Sequence, residues 1–445
     1  MALDTTSEHV PDRDTVFANV QRRALMTVAV PLAIFAYLTY TWFAFGVPEL
    51  LEKSRPERAV ILATDSVAYK VHVVKDIRRD EVEVAIEGER TATYDPTDYP
   101  EWVSVNGDQI DVDLGEGYFI EIDGQTARFT VPGYGTILST AVSNGVETEL
   151  PPGPVPEWLR DDPRKLDARP TLDRRLQITR TKIEVHNYFG GWENFWFPFN
   201  SQLYGMSAGQ LYALALSGDR LDPNTSNLWF IVNEFLDNPD WQHGKIMVAL
   251  FETIMMAVLG TITAAAFGLP LAFLAAKNFT PSIVLRFGIR RLFDFLRGID
   301  MLIWSLIFIR AFGLGPLTGA LAIAFTDTGS LGKLFSEALE NIDNKQVEGV
   351  RATGASQVQR YRFGVIPQIL PVFVSQVLYY LESNTRSATV IGALGAGGIG
   401  LVLVETMKTS RDWENTSYII VLTIIVVIMM DQTSGWLRRK LIEGK

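Results

Sequence analysis

The chain has no cysteine among its 445 residues, which excludes disulfides and any chemistry that needs a thiolate. It has four histidines, scattered along the sequence, so a histidine metal centre is not expected. No Ser-His-Asp arrangement, G-x-x-x-x-G-K-[ST] phosphate loop or local metal-ligand spacing occurs. The sequence therefore offers no evident means of hydrolysing ATP, and no cofactor or metal is expected. Positive charge is in deficit as well. Lys and Arg number 40 against 51 Asp and Glu, a net charge of −11, and no basic stripe suits a nucleic acid.

What is present in excess is apolar residues, 47% of the chain beside 20% charged, and they are clustered into runs. That pattern describes a membrane protein with a soluble part. Residues 1–23 are polar and end on the pair Arg22 and Arg23. Residues 24–47 form an apolar run long enough to cross about 30 Å of hydrocarbon. A cleaved signal peptide has a shorter core and a small-residue cleavage site, so this run reads as an uncleaved anchor with its N-terminus in the cytoplasm. Trp42 and Phe43 suit the outer interface.

Residues 48–185 carry 27 acids and 17 Lys/Arg, which is nearly the whole acidic excess. Within 56–140, stretches such as VAYKVHVV, EVEVAIEG and ARFTVPG alternate apolar and polar residues with period two. They read as short antiparallel strands of an extracytoplasmic β-rich domain, favoured as a packing or docking module, with a binding module as the alternative. Residues 150–175, rich in Pro and Asp, read as an extended linker. The aromatic stretch 186–241 is too interrupted for a span and reads as an interfacial segment. A carbohydrate-stacking site is its less favoured alternative.

Residues 242–437 read as a core of five more spans, near 246–276, 299–314, 317–335, 367–392 and 416–436. The loop reaching Arg297 carries Lys277, Arg286, Arg290, Arg291 and Arg297 against Asp294, which puts it inside. Arg438, Arg439 and Lys440 begin a cytoplasmic C-terminus over 438–445. Six spans with both termini inside satisfy the charge bias. Ionisable residues within spans are costly and normally face a bundle interior, so Arg310, Asp327, Glu382 and Arg386 are candidates to line a translocation path. Counting along the helices puts the first and last two in the outer half and Asp327 near mid-depth. Glu382 and Arg386 are i,i+4 neighbours and can pair.

The stretch 344–400 organises the rest. Its first part, NKQVEGVRATGASQVQRYRFGVIPQILP, is polar, basic and helix-forming, too polar for lipid and too short for a domain. It reads as a cytoplasmic docking loop within 337–367, with Gly354 breaking it between two short helices. The spacing Glu348-x5-Gly354-x12-Pro367 resembles the EAA loop of ABC-importer permeases, E-A-A-x3-G-x9-I-x-L-P. The sequence departs from that pattern at Gly349, Val350, Gly364 and Ile366. RATGAS, IPQILP, SATVIGALGAGGIG, FGLGPLTGALA and GKLFSEALE resemble the phosphonate-importer branch, over about 238–440.

The resemblance implies a mainly α membrane protein, a six-span type I ABC-importer permease with an extracytoplasmic β-rich insert after the first span. It implies an inner-membrane location and a coupling loop that includes Glu348, Arg351, Gly354 and Pro367. It also implies partners: an ATP-binding subunit dimer, an extracytoplasmic substrate-binding protein, and a second permease subunit, identical or paralogous. The substrate would be phosphonate or a related phosphorus oxyanion. Gly395, Gly397 and Gly400 fit G-x-G-x-x-G, but the strand, helix and acidic residue of a dinucleotide site are missing around them. With Gly398 they read as turn and packing glycines. The alternative function is a membrane-anchored structural or sensory protein whose β-domain binds a partner, without transport.

Overall fold

The computed structural model describes residues 13–409 and 412–442, so the ends of both expected cytoplasmic termini lie outside the described residues. The chain divides into two units, Met1–Leu62 and Ala63–Lys445. The first contains α1 (Arg13–Ala44), α2 (Val47–Glu52) and most of α3 (Pro56–Asp65). Residues 22–44 of α1 are apolar and buried nowhere along their length, as suits a helix whose solvent is lipid.

The second unit begins with twelve strands: β1 (Ala68–Asp76), β2 (Glu81–Ile86), β3 (Val103–Asn106), β4 (Gln109–Asp113), β5 (Phe119–Asp123), β6 (Thr126–Val131), β7 (Gly135–Val142), β8 (Gly145–Glu149), β9 (Leu159–Asp162), β10 (Lys165–Ala168), β11 (Arg174–Thr179) and β12 (Lys182–Gly190). They form two six-stranded antiparallel sheets, ordered β2-β1-β12-β11-β10-β9 and β3-β4-β5-β6-β7-β8. The period-two pattern is what folds them. In β6, Ala127, Phe129 and Val131 point into the core and Arg128 points out. Val73, Ile86 and Ile178 of one sheet share a single apolar core with Ile110, Ile120 and Phe129 of the other, so this part is a β-sandwich. Its first and last strands pair directly, Ala68 opposite Gly190, so the sandwich starts and finishes at one place.

Two sequence expectations change here. The stretch expected as a linker holds β9, β10 and the start of β11, because Leu166 and Leu176 bury completely beside each other's strand. The aromatic stretch loses its first five residues to β12. The remainder carries α4 (Ala208–Leu216) and α5 (Asn227–Leu236). Trp192, Phe195, Trp241 and Tyr418 pack on one another with ring centroids 4.9 to 5.9 Å apart. These rings fasten the segment to the bundle; Trp196 and Trp229 remain exposed.

The helical part follows as α6 (His243–Ala275), α7 (Ile283–Gly298), α8 (Met301–Phe312), α9 (Pro316–Glu340), α10 (Asn344–Ala352), α11 (Gln357–Arg360), α12 (Ile366–Ile391), α13 (Gly398–Thr409) and α14 (Trp413–Ile442). Four stretches among the described residues are long and apolar enough to cross a membrane: 22–44, 243–275, 357–396 and 413–441. They correspond to four of the six expected spans. At about 1.5 Å per residue, α8 is only about 18 Å long, well short of a bilayer. The basic loop before it is the helix α7. The 25-residue α9 is long enough but carries Asp327 and Lys333, because it is enclosed by protein rather than lipid. Its contact with α6 is close: a Cβ at Gly260 would sit 2.7 Å from Ile323.

Candidate functional site

The helices bring together polar groups that lie far apart in sequence. Asp327 of α9, Asn384 of α12 and Thr261 of α6 are all buried, with Asp327 only 2% exposed. Asn384 Nδ2 donates to Asp327 Oδ2 at 2.5 Å and to Thr261 Oγ1 at 2.8 Å. Thr261 in turn donates to the Ala257 carbonyl at 2.7 Å. Asp327, expected on the translocation path, is thus one member of a knot joining three helices. Nothing in the sequence pointed to Asn384 or Thr261 as its partners.

Glu382 and Arg386 form the expected i,i+4 pair on α12, with N···O at 3.0 Å. Arg386 is 51% exposed and Glu382 is less so. Arg310, in the last turn of α8, is exposed and makes no ion pair among the described residues.

The glycine run after α12 is a tight reversal. Gly395, Gly397 and Gly398 have φ of 112°, 84° and 69°, which only glycine adopts cheaply. Gly400 lies in α13 so close to α12 that a Cβ would overlap the Thr389 carbonyl oxygen. The first amides of α13 are met by α6: Gly398 N donates to Glu252 Oε2 at 3.0 Å, and Ile399 N to Thr253 Oγ1 at 2.9 Å. A carboxylate there satisfies orphan donors and opposes the positive helix end. Glu252 was missed in the sequence as the acid within the first core span.

The expected coupling loop is a pair of short helices with a turn. Asp343 caps α10 by accepting from Lys345 N at 2.9 Å. The chain turns at Gly354, φ 81°, and Ser356 with Gln359 forms a capping box for α11. Glu348 and Arg351 are exposed on α10, and neither pairs among the described residues. Pro367 sits in the first turn of α12, where its missing N–H costs nothing. Gln368, one residue on, reaches back across the loop. Its Oε1 accepts from Asp343 N at 2.8 Å, and its Nε2 donates to the Gly364 carbonyl at 2.6 Å. Val358, Tyr361 and Phe363 are exposed on this polar surface, Phe363 by 60%.

A further set of polar contacts joins the β-sandwich to the bundle. Asp240 Oδ1 accepts from the amides of Arg90 and Thr91, and Oδ2 from the Thr91 hydroxyl. Asn415 Nδ2 donates to the Asp240 carbonyl at 2.9 Å. Beside it, burial pushes the Glu89 carboxyl up to about 9 despite a hydrogen bond from Asn194. The sequence promised no histidine cluster, yet His72 and His186 stand directly opposite each other on β1 and β12, with Glu87 beside them. Their long separation in the chain hid the pair from any reading of local spacing.

Residues 268–435 match the family described as "Binding-protein-dependent transport system inner membrane component". The chain is 38% identical over 191 residues to the phosphite transport system permease protein PtxC of Stutzerimonas stutzeri, covering 43% of this chain and 69% of that one. It is 35% identical over 208 residues to the phosphate-import permease protein PhnE of Mycolicibacterium smegmatis, covering 47% of this chain and 38% of that one. The chain belongs to the family of inner-membrane components of binding-protein-dependent transport systems. Within it, the chain is a permease of the phosphonate type of ABC importer, a multi-pass protein of the inner membrane. The family match lies entirely beyond the β-sandwich.

Proposed function

We propose that this chain is the transmembrane subunit of an ATP-driven importer for phosphonate or a related phosphorus oxyanion, coupled through residues 343–368 to a separate ATPase. One observation carries the reading. A polar loop with a built turn leaves Val358, Tyr361 and Phe363 uncovered, as a surface made to receive another protein does. Glu348, Arg351, Gly354 and Pro367 frame that surface. The substrate class rests on the phosphite and phosphate named in the relatives. The working assembly holds two ATPase copies, an extracytoplasmic binding protein and a second permease chain.

The fold is read as a type I permease in which α8 and α9 supply the third and fourth crossings inside the bundle, giving six. Both termini then face the cytoplasm and the β-sandwich faces outward. In this reading Arg310 and Arg386 supply positive potential to an anion released by the binding protein. A guanidinium fork suits two phosphonate oxygens. Closure of the ATPase dimer pushes on the loop, and the helices turn from inward-open to outward-open.

The test is uptake into proteoliposomes holding the permease, its ATPase and its binding protein. ATP-dependent accumulation of phosphite, methylphosphonate or phosphate is the expected result. If all three fail both to accumulate and to stimulate ATP hydrolysis, the substrate class is wrong. Arg386→Gln should lower uptake while assembly and basal hydrolysis persist. If Arg386→Gln instead breaks the complex and adding Glu382→Gln restores full uptake, Arg386 is only a counter-ion.

A further inference from the structure

Half of the chain's four histidines meet at one point of the β-sandwich. His72 and His186 are cross-strand partners on β1 and β12, and their rings lie 6.3 Å apart between centroids. Glu87, one residue past β2, sits between them. Its Oε2 is 3.1 Å from His186 Nε2 and 4.0 Å from His72 Nδ1. One ligating atom from each of the three lies within 4.8 Å of the other two.

The His72 side chain is largely buried yet makes no hydrogen bond among the described residues, its Nε2 being enclosed without a partner. His186 is only 5% exposed, and its Nδ1 also has no partner. Those two nitrogens face away from Glu87; the ones that face it, His72 Nδ1 and His186 Nε2, meet only its carboxylate, so two nitrogens and one oxygen converge on one point.

The cluster opens on a cavity of about 690 Å³ between the sandwich and helices α6, α13 and α14. Seven carboxyl groups, of which burial keeps Glu89 neutral, and three basic side chains line it, so acids still outnumber bases and it attracts cations.

We propose that His72, Glu87 and His186 bind a divalent transition-metal cation of the zinc class, with a fourth position open to the cavity. Two imidazoles and one carboxylate are a donor set that zinc accepts, with bonds of about 2.0–2.2 Å. Calcium and magnesium require more oxygen ligands than this cluster offers. The His186–Glu87 separation already fits such an ion, and a modest turn of the His72 ring closes the third side. Lys70 Nζ, 3.2 Å from Glu87 Oε2, competes for the carboxylate and must swing away. No thiol competes elsewhere. His243 is engaged by Tyr418 and the Phe195 carbonyl, and His9 lies outside the described residues.

The test uses the full-length permease in detergent, stripped with a chelator and titrated with ZnCl2. Wild type should bind one Zn2+ per chain at this site and show a Zn2+-dependent rise in unfolding temperature. The double variant His72→Gln/His186→Gln should weaken that binding at least 100-fold and lose the thermal shift. Lys70→Met should tighten it several-fold. Glu87→Gln, which keeps both rings in place, provides a second reading should the double variant misfold, and it too should weaken binding. Co2+ in place of Zn2+ should give the visible absorption of a tetrahedral ion in wild type only. The proposal fails if wild type binds no Zn2+, or if variants that remain folded bind as well as wild type. It fails equally if Mg2+ or Ca2+ in 100-fold excess displaces the ion, because the acidic cavity alone would then be the binder.

Discussion

At the residue scale, several side chains have roles that a single change can expose. Gly354 adopts a left-handed conformation with open space around the missing Cβ, so a substitution there acts through the backbone alone. Gly354→Ala should cost roughly 1–2 kcal/mol locally. Gly354→Asp should leave the permease inserted but uncouple it, seen as loss of substrate-stimulated hydrolysis by the co-purified ATPase. Wild-type stimulation in that variant would contradict the docking role. In the interhelical knot, Asn384→Leu removes the buried donor that Asp327 accepts from. Thermal unfolding should then show a loss of about 1–3 kcal/mol. Asp327 could be picked out in the sequence because a charge in an apolar run is conspicuous. Asn384 and Thr261 could not, since an amide and a hydroxyl at ordinary positions gain meaning only when α12 and α6 converge on α9.

At the scale of elements, the period-two strands were legible wherever the alternation was uninterrupted, as in β6. The linker expectation failed over β9 and β10 because four-residue strands flanked by Pro and Asp carry too few alternations to stand out. Those short strands lean on charge pairing. Asp167 of β10 is gripped by Arg175 of β11 through two bonds of 2.8 and 2.7 Å. Burial alone would raise its carboxyl, but the hydrogen bonds from Arg175 outweigh it and hold it below the usual range. The sign follows: the paired carboxylate's stabilisation is complete above the ordinary Asp value and is lost as pH falls through the lowered one. Asp167→Asn should therefore lower the unfolding temperature at neutral pH and flatten the acid limb of its pH profile. An unchanged profile would mean the pair contributes nothing. The reversal between α12 and α13 was readable as a turn from its glycines, but its anchor was not. Glu252→Gln should loosen α13, with faster amide exchange at Gly398 and Ile399.

At the scale of the whole molecule, the topology can be tested directly because the native chain has no cysteine to interfere. Asp123→Cys, exposed at the end of β5, should react with an impermeant thiol reagent in intact spheroplasts if the sandwich faces outward. Labelling only after lysis would invert the proposed orientation. Hydropathy revealed the spans that face lipid and blurred those that do not. The α9 helix is walled in by α6, α7 and α8, so its sequence answers to protein neighbours and carries charge where a lipid-facing helix would not.

The clamp made by Gln368 has a mechanical consequence. Because it holds Asp343, the 24 residues between them form a closed ring with a single footing shared by α9 and α12. Those two helices are pinned again midway along α9, where Asn384 meets Asp327. A plate fastened at two points does not shear; a push on the ring becomes a rotation of both helices together. Replacing Phe335 and Phe373, whose ring centroids lie 4.3 Å apart across this pair, with cysteines and joining them by a short bis-thiol bridge should therefore leave turnover intact. Bridges from this plate to helices outside it should stall the cycle.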